Sequence, residues 1–238
     1  MITREAIILA GGMGSRLKSV VADRPKPMAE INGRPFLEYL LDYLIGQGIT
    51  RIILSVGYKH DVIQTHFKGE YRNVPLIYAV EEQPLGTGGG IRNALRYTLS
   101  EEAFMINGDT YFPVSLDEMS RVFTGTRADL VMALHPVEES DRYGTIETDE
   151  NGRIIAFREK SSHRATALIN GGIYLMKKEL LLNRFFPESF SFETGFLEKY
   201  TNALYFAGII FENGFIDIGI PESYRHAQFI LKDAQYEK

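Results

Sequence analysis

The segment Leu9-Ala10-Gly11-Gly12-Met13-Gly14-Ser15-Arg16-Leu17 constrains this chain more than any other. The residues leading into it, Ala6–Ala10, are wholly apolar, the pattern of a short strand buried on both faces of a parallel sheet. Glycines and an arginine follow at once. Glycine lets the backbone turn tightly and approach a ligand closely, and successive backbone N–H groups in such a turn form a concavity for anions. The turn lacks the Lys-Ser/Thr that ends a Walker A loop and is not G-x-G-x-x-G. Taken alone, it reads either as a phosphate cradle or as a tight strand-to-helix connection.

The rest of the first half repeats the strand-then-helix pattern. Arg51–Val56, Leu76–Val80, Ala103–Asn107 and Asp129–Leu134 are apolar runs of strand length. Phe36–Ile45 carries its apolar residues at helical spacing and stops at Gly46 and Gly48, and Ile91–Leu99 reads as a second helix. This alternation predicts an α/β, Rossmann-like doubly wound mixed sheet. The second half is more β-rich. Thr145–Thr148 and Ile154–Phe157 flank Asp149-Glu150-Asn151-Gly152, a hairpin signal, and Gly171-Gly172 interrupt a strand over Leu168–Met176. Pro221 opens a final helix running to about Gln235. The expectation is one domain over residues 1–238, with two halves, about 1–135 and about 136–238, facing each other across a cleft.

Composition removes several function classes. The chain has no cysteine, so disulfides, thiolate metal sites and a cysteine nucleophile are excluded. A net charge of −5 argues against a nucleic-acid partner. No apolar run approaches the ~18 residues of a membrane span, and the first residues lack the form of a signal peptide. The chain therefore reads as cytoplasmic with no membrane partner; a homo-oligomer is left open. Against the acidic background, Arg16, Lys18, Arg24 and Lys26 crowd beside the glycines. Pro25 and Pro27 flank Lys26 and stiffen the backbone there. Such rigidity suits an ammonium held at one point, such as a phosphate oxygen, and the planar fork of Arg16 suits the same anion.

The chain resembles the sugar-phosphate nucleotidyltransferases, or nucleotide-sugar pyrophosphorylases. Their opening L-A-G-G-x-G-[ST]-R-L followed by P-K-P stands here as LAGGMGSRL and PKPM. The resemblance implies the nucleotide-diphospho-sugar transferase type of fold, with a small β-rich sugar-binding part. It also implies that Leu9, Ala10, Gly11, Gly12, Gly14 and Ser15 hold the triphosphate, with Arg16 and Lys26 as catalytic cations. Glu82-Gln83-Pro84-Leu85-Gly86-Thr87-Gly88 is similar to the family's base loop, which implicates Pro84, Gly86, Thr87 and Gly88 in nucleotide binding; the alternative is an ordinary helix N-terminus. Glu81 or Glu82 has the acceptors to pair with guanine N1–H and N2–H₂. Asn107-Gly108-Asp109 closes a strand; the resemblance places Asn107 with the nucleotide and makes Asp109 a catalytic Mg²⁺ ligand. Phe215-Ile216-Asp217-Ile218-Gly219 resembles the family's W-x-D-x-G, with Phe215 for tryptophan and Asp217 as second metal ligand. Tyr143-Gly144, Glu159-Lys160 and Asn170-Gly171-Gly172 resemble the sugar-phosphate subsite, although Ser161 replaces the usual proline after Lys160.

Within the family, SVVADRPKPMAEINGRPFLEYLLDYL and EEQPLGTGGGIRNAL are most similar to bacterial D-glycero-α-D-manno-heptose 1-phosphate guanylyltransferases. The implied substrates are GTP and that sugar 1-phosphate, giving GDP-heptose for surface polysaccharide. Mannose 1-phosphate guanylyltransferase and amino-sugar 1-phosphate uridylyltransferase remain alternatives. A non-catalytic regulatory subunit is a further alternative, against which Arg16, Lys26, Asp109 and Asp217 all count.

Overall fold

The computed structural model describes residues 4–12, 17, 24–138, 144–158 and 167–231. Gly14, Ser15, Arg16, Tyr143, Glu159 and Lys160 lie outside the described residues. At the centre stands β1 (Glu5–Leu9), paired in parallel on one side with β4 (Arg51–Val56) and on the other with β7 (Glu102–Asn107). β6 (Val74–Val80) continues the parallel part beyond β4.

Strand side chains alternate between faces, and the core splits accordingly. Ala6, Ile8, Ile52, Leu54, Phe104 and Ile106 join one apolar cluster, and Ile7, Ile53 and Met105 join another. Against the first face pack α1 (Phe36–Gly46), α2 (His60–Phe67) and α4 (Leu116–Thr126). Against the second pack α3 (Gly86–Leu95) and a helical stretch that includes a π-helical turn over Glu193–Leu197. α4 shows how local chemistry sets a helix start. Ser115 caps it by accepting the Glu118 N–H at 3.2 Å, a contact worth about 1 kcal/mol.

The second half extends the same sheet. β12 (Ala167–Lys177) runs antiparallel to β7, to β9 (Leu130–Val137) and to β10 (Thr145–Thr148). β10 and β11 (Ile154–Arg158) form the expected hairpin, whose turn uses Gly152 at φ +79°. Asp149 braces that turn by accepting from the Asn151 and Arg153 N–H groups, each at 2.9 Å. Residue 135 falls inside β9, so one continuous sheet crosses from the first half into the second. The register of β12 shifts between Asn170 and Tyr174, and Gly172 there has φ +73°. The paired glycines thus mark a bulge, as their presence in a strand suggests.

One element departs from the sequence reading. The helix read over Ile91–Leu99 begins at Gly86 and ends at Leu95. Glycine is a poor helix former, which hides this start. Close packing explains it: a Cβ on Gly88 would sit 2.2 Å from the Phe190 ring, and one on Gly89 would sit 2.6 Å from the Glu188 carbonyl oxygen. α7 (Pro221–Ile230) is the expected last helix and ends at Ile230; the expected reach to about Gln235 falls on residues outside the described range. Among the described residues, no helix is long and apolar enough to cross a membrane.

Candidate active site

β1, β4, β6 and β7 are parallel, so their carboxyl ends meet on one side, where ligands bind in open α/β sheets. A cleft of about 790 Å³ opens there. From the end of β1 come Leu9, Ala10, Gly11 and Gly12; from β4, Ser55, Gly57 and Tyr58; from the β6–α3 connection, Glu81 to Pro84, Gly86 and Thr87; from β7, Asn107, Gly108 and Asp109. Lys26, Pro27, Glu193 and Gly219 complete the lining.

The glycine turn is held from below. Ala10 donates its N–H to the Ser55 carbonyl at 2.7 Å, and the Tyr58 N–H reaches the Gly11 carbonyl at 3.3 Å. Gly108 lies so close to β1 that a Cβ there would sit 2.2 Å from the Leu9 carbonyl oxygen. Gly12, in contrast, is exposed, with nothing among the described residues within 4 Å of a Cβ built upon it.

Lys26 opens a 3-10 turn, Lys26–Met28, between the buried Pro25 and Pro27. Its side chain is 13% exposed and reaches across the cleft to Asp109, with Nζ to Oδ2 at 2.5 Å. Thr110 donates its hydroxyl to the other Asp109 oxygen at 3.3 Å. Asp109 follows β7 and precedes β8 (Thr110–Tyr111), which pairs with β14 (Ile216–Asp217). Asp217 stands opposite Thr110, and the Ile218 N–H donates to the Asp109 carbonyl at 2.9 Å. The two aspartates expected to share a metal therefore lie on adjoining strand ends. Asp217 Oδ1 also accepts the Gly219 N–H at 2.6 Å. The donor set is two carboxylates, and among the described residues no third His, Asp or Glu completes a cage. Such a set suits a hard cation that keeps waters and substrate phosphates as its other ligands.

Glu81 holds the loop it begins. Its Oε1 accepts from the Ser55 hydroxyl at 3.1 Å and its Oε2 accepts the Leu85 N–H at 3.2 Å. It is also wedged between two glycines: a Cβ on Gly11 would stand 3.1 Å from Glu81 Oε1, and one on Gly90 would stand 2.6 Å from it. Glu82, next to it on the cleft, is exposed. Gly88 is buried under Phe190 and does not line the cleft.

Of the residues expected at the sugar-phosphate subsite, Asn170, Gly171 and Gly172 are not part of the cleft lining. Gly171 abuts the Phe112 ring and Gly172 abuts the Asn107 side chain, each closer than a Cβ permits. Asn170 donates its amide to the Tyr174 hydroxyl at 2.6 Å and accepts the Gly172 N–H at 2.9 Å. Tyr174 is fully buried, and burial first, then the charge of Glu193, pushes its phenol well above the ordinary value. Gly144 is exposed and away from the cleft lining. Ser55, Tyr58 and Glu193 line the cleft without any local sequence signal; each is brought in by the fold.

Residues 5–233 match the nucleotidyl transferase family model. The chain belongs to the nucleotidyl transferase family. It is 49% identical over 224 residues to the D-glycero-α-D-manno-heptose 1-phosphate guanylyltransferase of Aneurinibacillus thermoaerophilus, covering 94% of this chain and 96% of that one. A protein of the same description from Campylobacter jejuni is 44% identical over 222 residues, covering 93% and 97%. The crystal structure of HddC from Yersinia pseudotuberculosis superimposes with a TM-score of 0.85 at 38% identity, over 97% of this chain and all of that one. HddC has also been solved complexed with GMP-PN. The doubly wound fold and the nucleotidyltransferase character expected from the sequence are both borne out.

Proposed function

We propose that this nucleotidyltransferase joins GTP to D-glycero-α-D-manno-heptose 1-phosphate, forming GDP-heptose and pyrophosphate in the cytoplasm for surface polysaccharide synthesis. The full-length similarity to two guanylyltransferases of that description supports the substrates. The observation that carries the chemistry is the Lys26–Asp109 pair, which faces the bare backbone of Gly11 and Gly12 within one cleft.

An oxygen of the sugar phosphate attacks the α-phosphorus, and the bond from that phosphorus to the β-phosphate oxygen breaks. Both reactants are polyanions, so positioning and charge neutralisation carry most of the catalysis. In this proposal the N–H groups of the glycine turn, together with Arg16, hold the triphosphate. Lys26 is fixed by its prolines and offsets charge at the α-phosphate. Asp109 and Asp217 would hold Mg²⁺, which supplies further neutralisation of the phosphates and of the leaving pyrophosphate. Gly86, Thr87 and the exposed Glu82 face the base. Tyr143, Gly144, Glu159 and Lys160 receive the sugar phosphate, and Asn170-Gly171-Gly172 shape the floor beneath it. No general base is needed, because the attacking phosphate is already ionised at neutral pH.

The test is pyrophosphate release with Mg²⁺, a panel of nucleoside triphosphates and a panel of sugar 1-phosphates. GTP with the manno-configured heptose is expected to be fastest. Release with UTP alone overturns the guanylyl assignment, and release with no sugar 1-phosphate overturns the reaction.

A further inference from the structure

Glu193 is the carboxylate in the cleft that neither the family motifs nor the proposed chemistry uses. It comes from the π-helical turn, far in sequence from every other lining residue. One of its oxygens, Oε2, is fixed: it accepts from the Thr87 hydroxyl at 2.7 Å and from the Ser191 hydroxyl at 2.8 Å. Thr87 is fixed in turn, since its oxygen accepts the Phe192 N–H at 2.8 Å. The backbones beneath are laced together by Gly88 N–H to the Phe190 carbonyl at 2.9 Å and Phe190 N–H to the Leu85 carbonyl at 3.0 Å. The carboxylate is therefore preorganised. Among the described residues, Oε1 takes no hydrogen bond, and no ammonium or guanidinium pairs with the group.

The other cleft carboxylates differ. Asp109 is neutralised by Lys26, Glu81 spends both oxygens on its own loop, and Glu82 is exposed rather than fixed by neighbouring hydroxyls. An acidic group without a cation, in a cleft that takes two polyanions, repels every phosphate it faces. It suits a neutral donor, and the neutral donors of these substrates are the guanine N–H groups and the hydroxyls of the ribose and the sugar. Its location selects among them. Glu193 directly follows Phe192, whose ring packs edge-on against the buried Tyr174 of β12 at 5.2 Å, and the Tyr174 hydroxyl is bonded to Asn170 beside the bulge. Glu193 thus joins the cleft from the β12 side, while Thr87 ties it to the loop after β6.

We infer that Glu193 is a specificity-determining residue whose free carboxylate oxygen accepts a hydrogen bond from a sugar hydroxyl of the sugar 1-phosphate. The inference rests on the proposed reaction and deepens it. It also gives the Thr87 contact a purpose: the nucleotide loop and the sugar acceptor are set by one shared hydroxyl.

Glu193→Gln tests it cleanly. The amide oxygen still accepts from Thr87 and Ser191, but the cleft-facing acceptor becomes an N–H₂ donor. The KM for the sugar 1-phosphate is expected to rise roughly tenfold or more, the size of one lost hydrogen bond to a charged group. KM for GTP and the melting temperature stay at wild-type values. Monodeoxy sugar 1-phosphates supply the second arm. The analogue lacking the contacted hydroxyl brings wild type down to the variant's level, and the variant loses nothing further. An unchanged sugar KM in Glu193→Gln overturns the inference alone. So does a parallel rise in both KM values with a lower melting temperature, which marks a purely structural clamp. A wild type that turns over no sugar 1-phosphate overturns the reaction itself, and the inference with it.

Discussion

Among the described residues, a methyl group added at Gly12 would meet no atom within 4 Å, whereas one added at Gly88 would stand 2.2 Å from the Phe190 ring. Both glycines belong to glycine-rich stretches near the rim of the same cleft, and the sequence presents them alike. Around Gly12 the described residues leave the backbone open, as the proposed phosphate cradle requires. Around Gly86, Gly88, Gly89 and Gly90 the backbone is bare so that a helix can lie against Phe190, Glu188 and Glu81. Glycine richness thus serves packing in α3 and, in the proposed reaction, a ligand at Gly12, and the space around a Cβ tells the two apart.

Four substitutions sharpen or break that contrast. The largest effect is expected on the ligand side, from the cation facing the glycine turn. Lys26→Ala should lose roughly 3 kcal/mol or more of transition-state stabilisation, on the order of a hundredfold in kcat/KM or greater, as for other preorganised donors at a developing anion. Near-normal turnover would remove Lys26 from the chemistry. Gly88→Ala is expected to act on stability instead. Forcing a methyl into the Phe190 ring, itself stacked on Phe186 at 4.7 Å, should cost about 1–3 kcal/mol. A melting-temperature drop of about 2–4 °C per kcal/mol follows for a chain of this size. An unchanged melting temperature would show that the helix face tolerates a side chain.

Gly12→Ala should do the reverse. Stability stays at the wild-type value, and KM for the nucleoside triphosphate rises roughly tenfold, about the loss of one charged hydrogen bond. A stability loss with normal nucleotide binding would make Gly12 a packing residue like Gly88. The smallest effect is expected at Ser55→Ala, which removes a buried donor to Glu81 under the nucleotide loop. About 1 kcal/mol of stability is at stake, read from denaturant unfolding. A loss well above that would mean that Ser55 holds more than Glu81.

Much of the sheet was legible because its strands are buried on both faces and read as continuous apolar runs. β4 and β10 have the predicted bounds, and β1, β7, β11 and α1 differ by a residue or so. The start of α3 was hidden because its glycines follow packing rather than helix propensity. α2 enters through Lys59 at φ +51°, a left-handed residue without a helix-start signal. The cleft was legible where it is built from local motifs, at Leu9–Gly12, Lys26, Pro84–Thr87 and Asn107–Asp109. Ser55, Tyr58 and Glu193 were not, because no spacing connects them to those motifs and only the sheet order and the π-helical turn bring them to the cleft.

A crystal structure of the protein with a non-hydrolysable GTP analogue and Mg²⁺ tests the central claim most directly. The triphosphate is expected to lie over Gly11 and Gly12, within hydrogen-bond distance of their N–H groups. Lys26 Nζ is expected near the α-phosphate and the metal on Asp109 and Asp217. A nucleotide seated elsewhere, or one leaving Lys26 facing away from its phosphates, would contradict the claim.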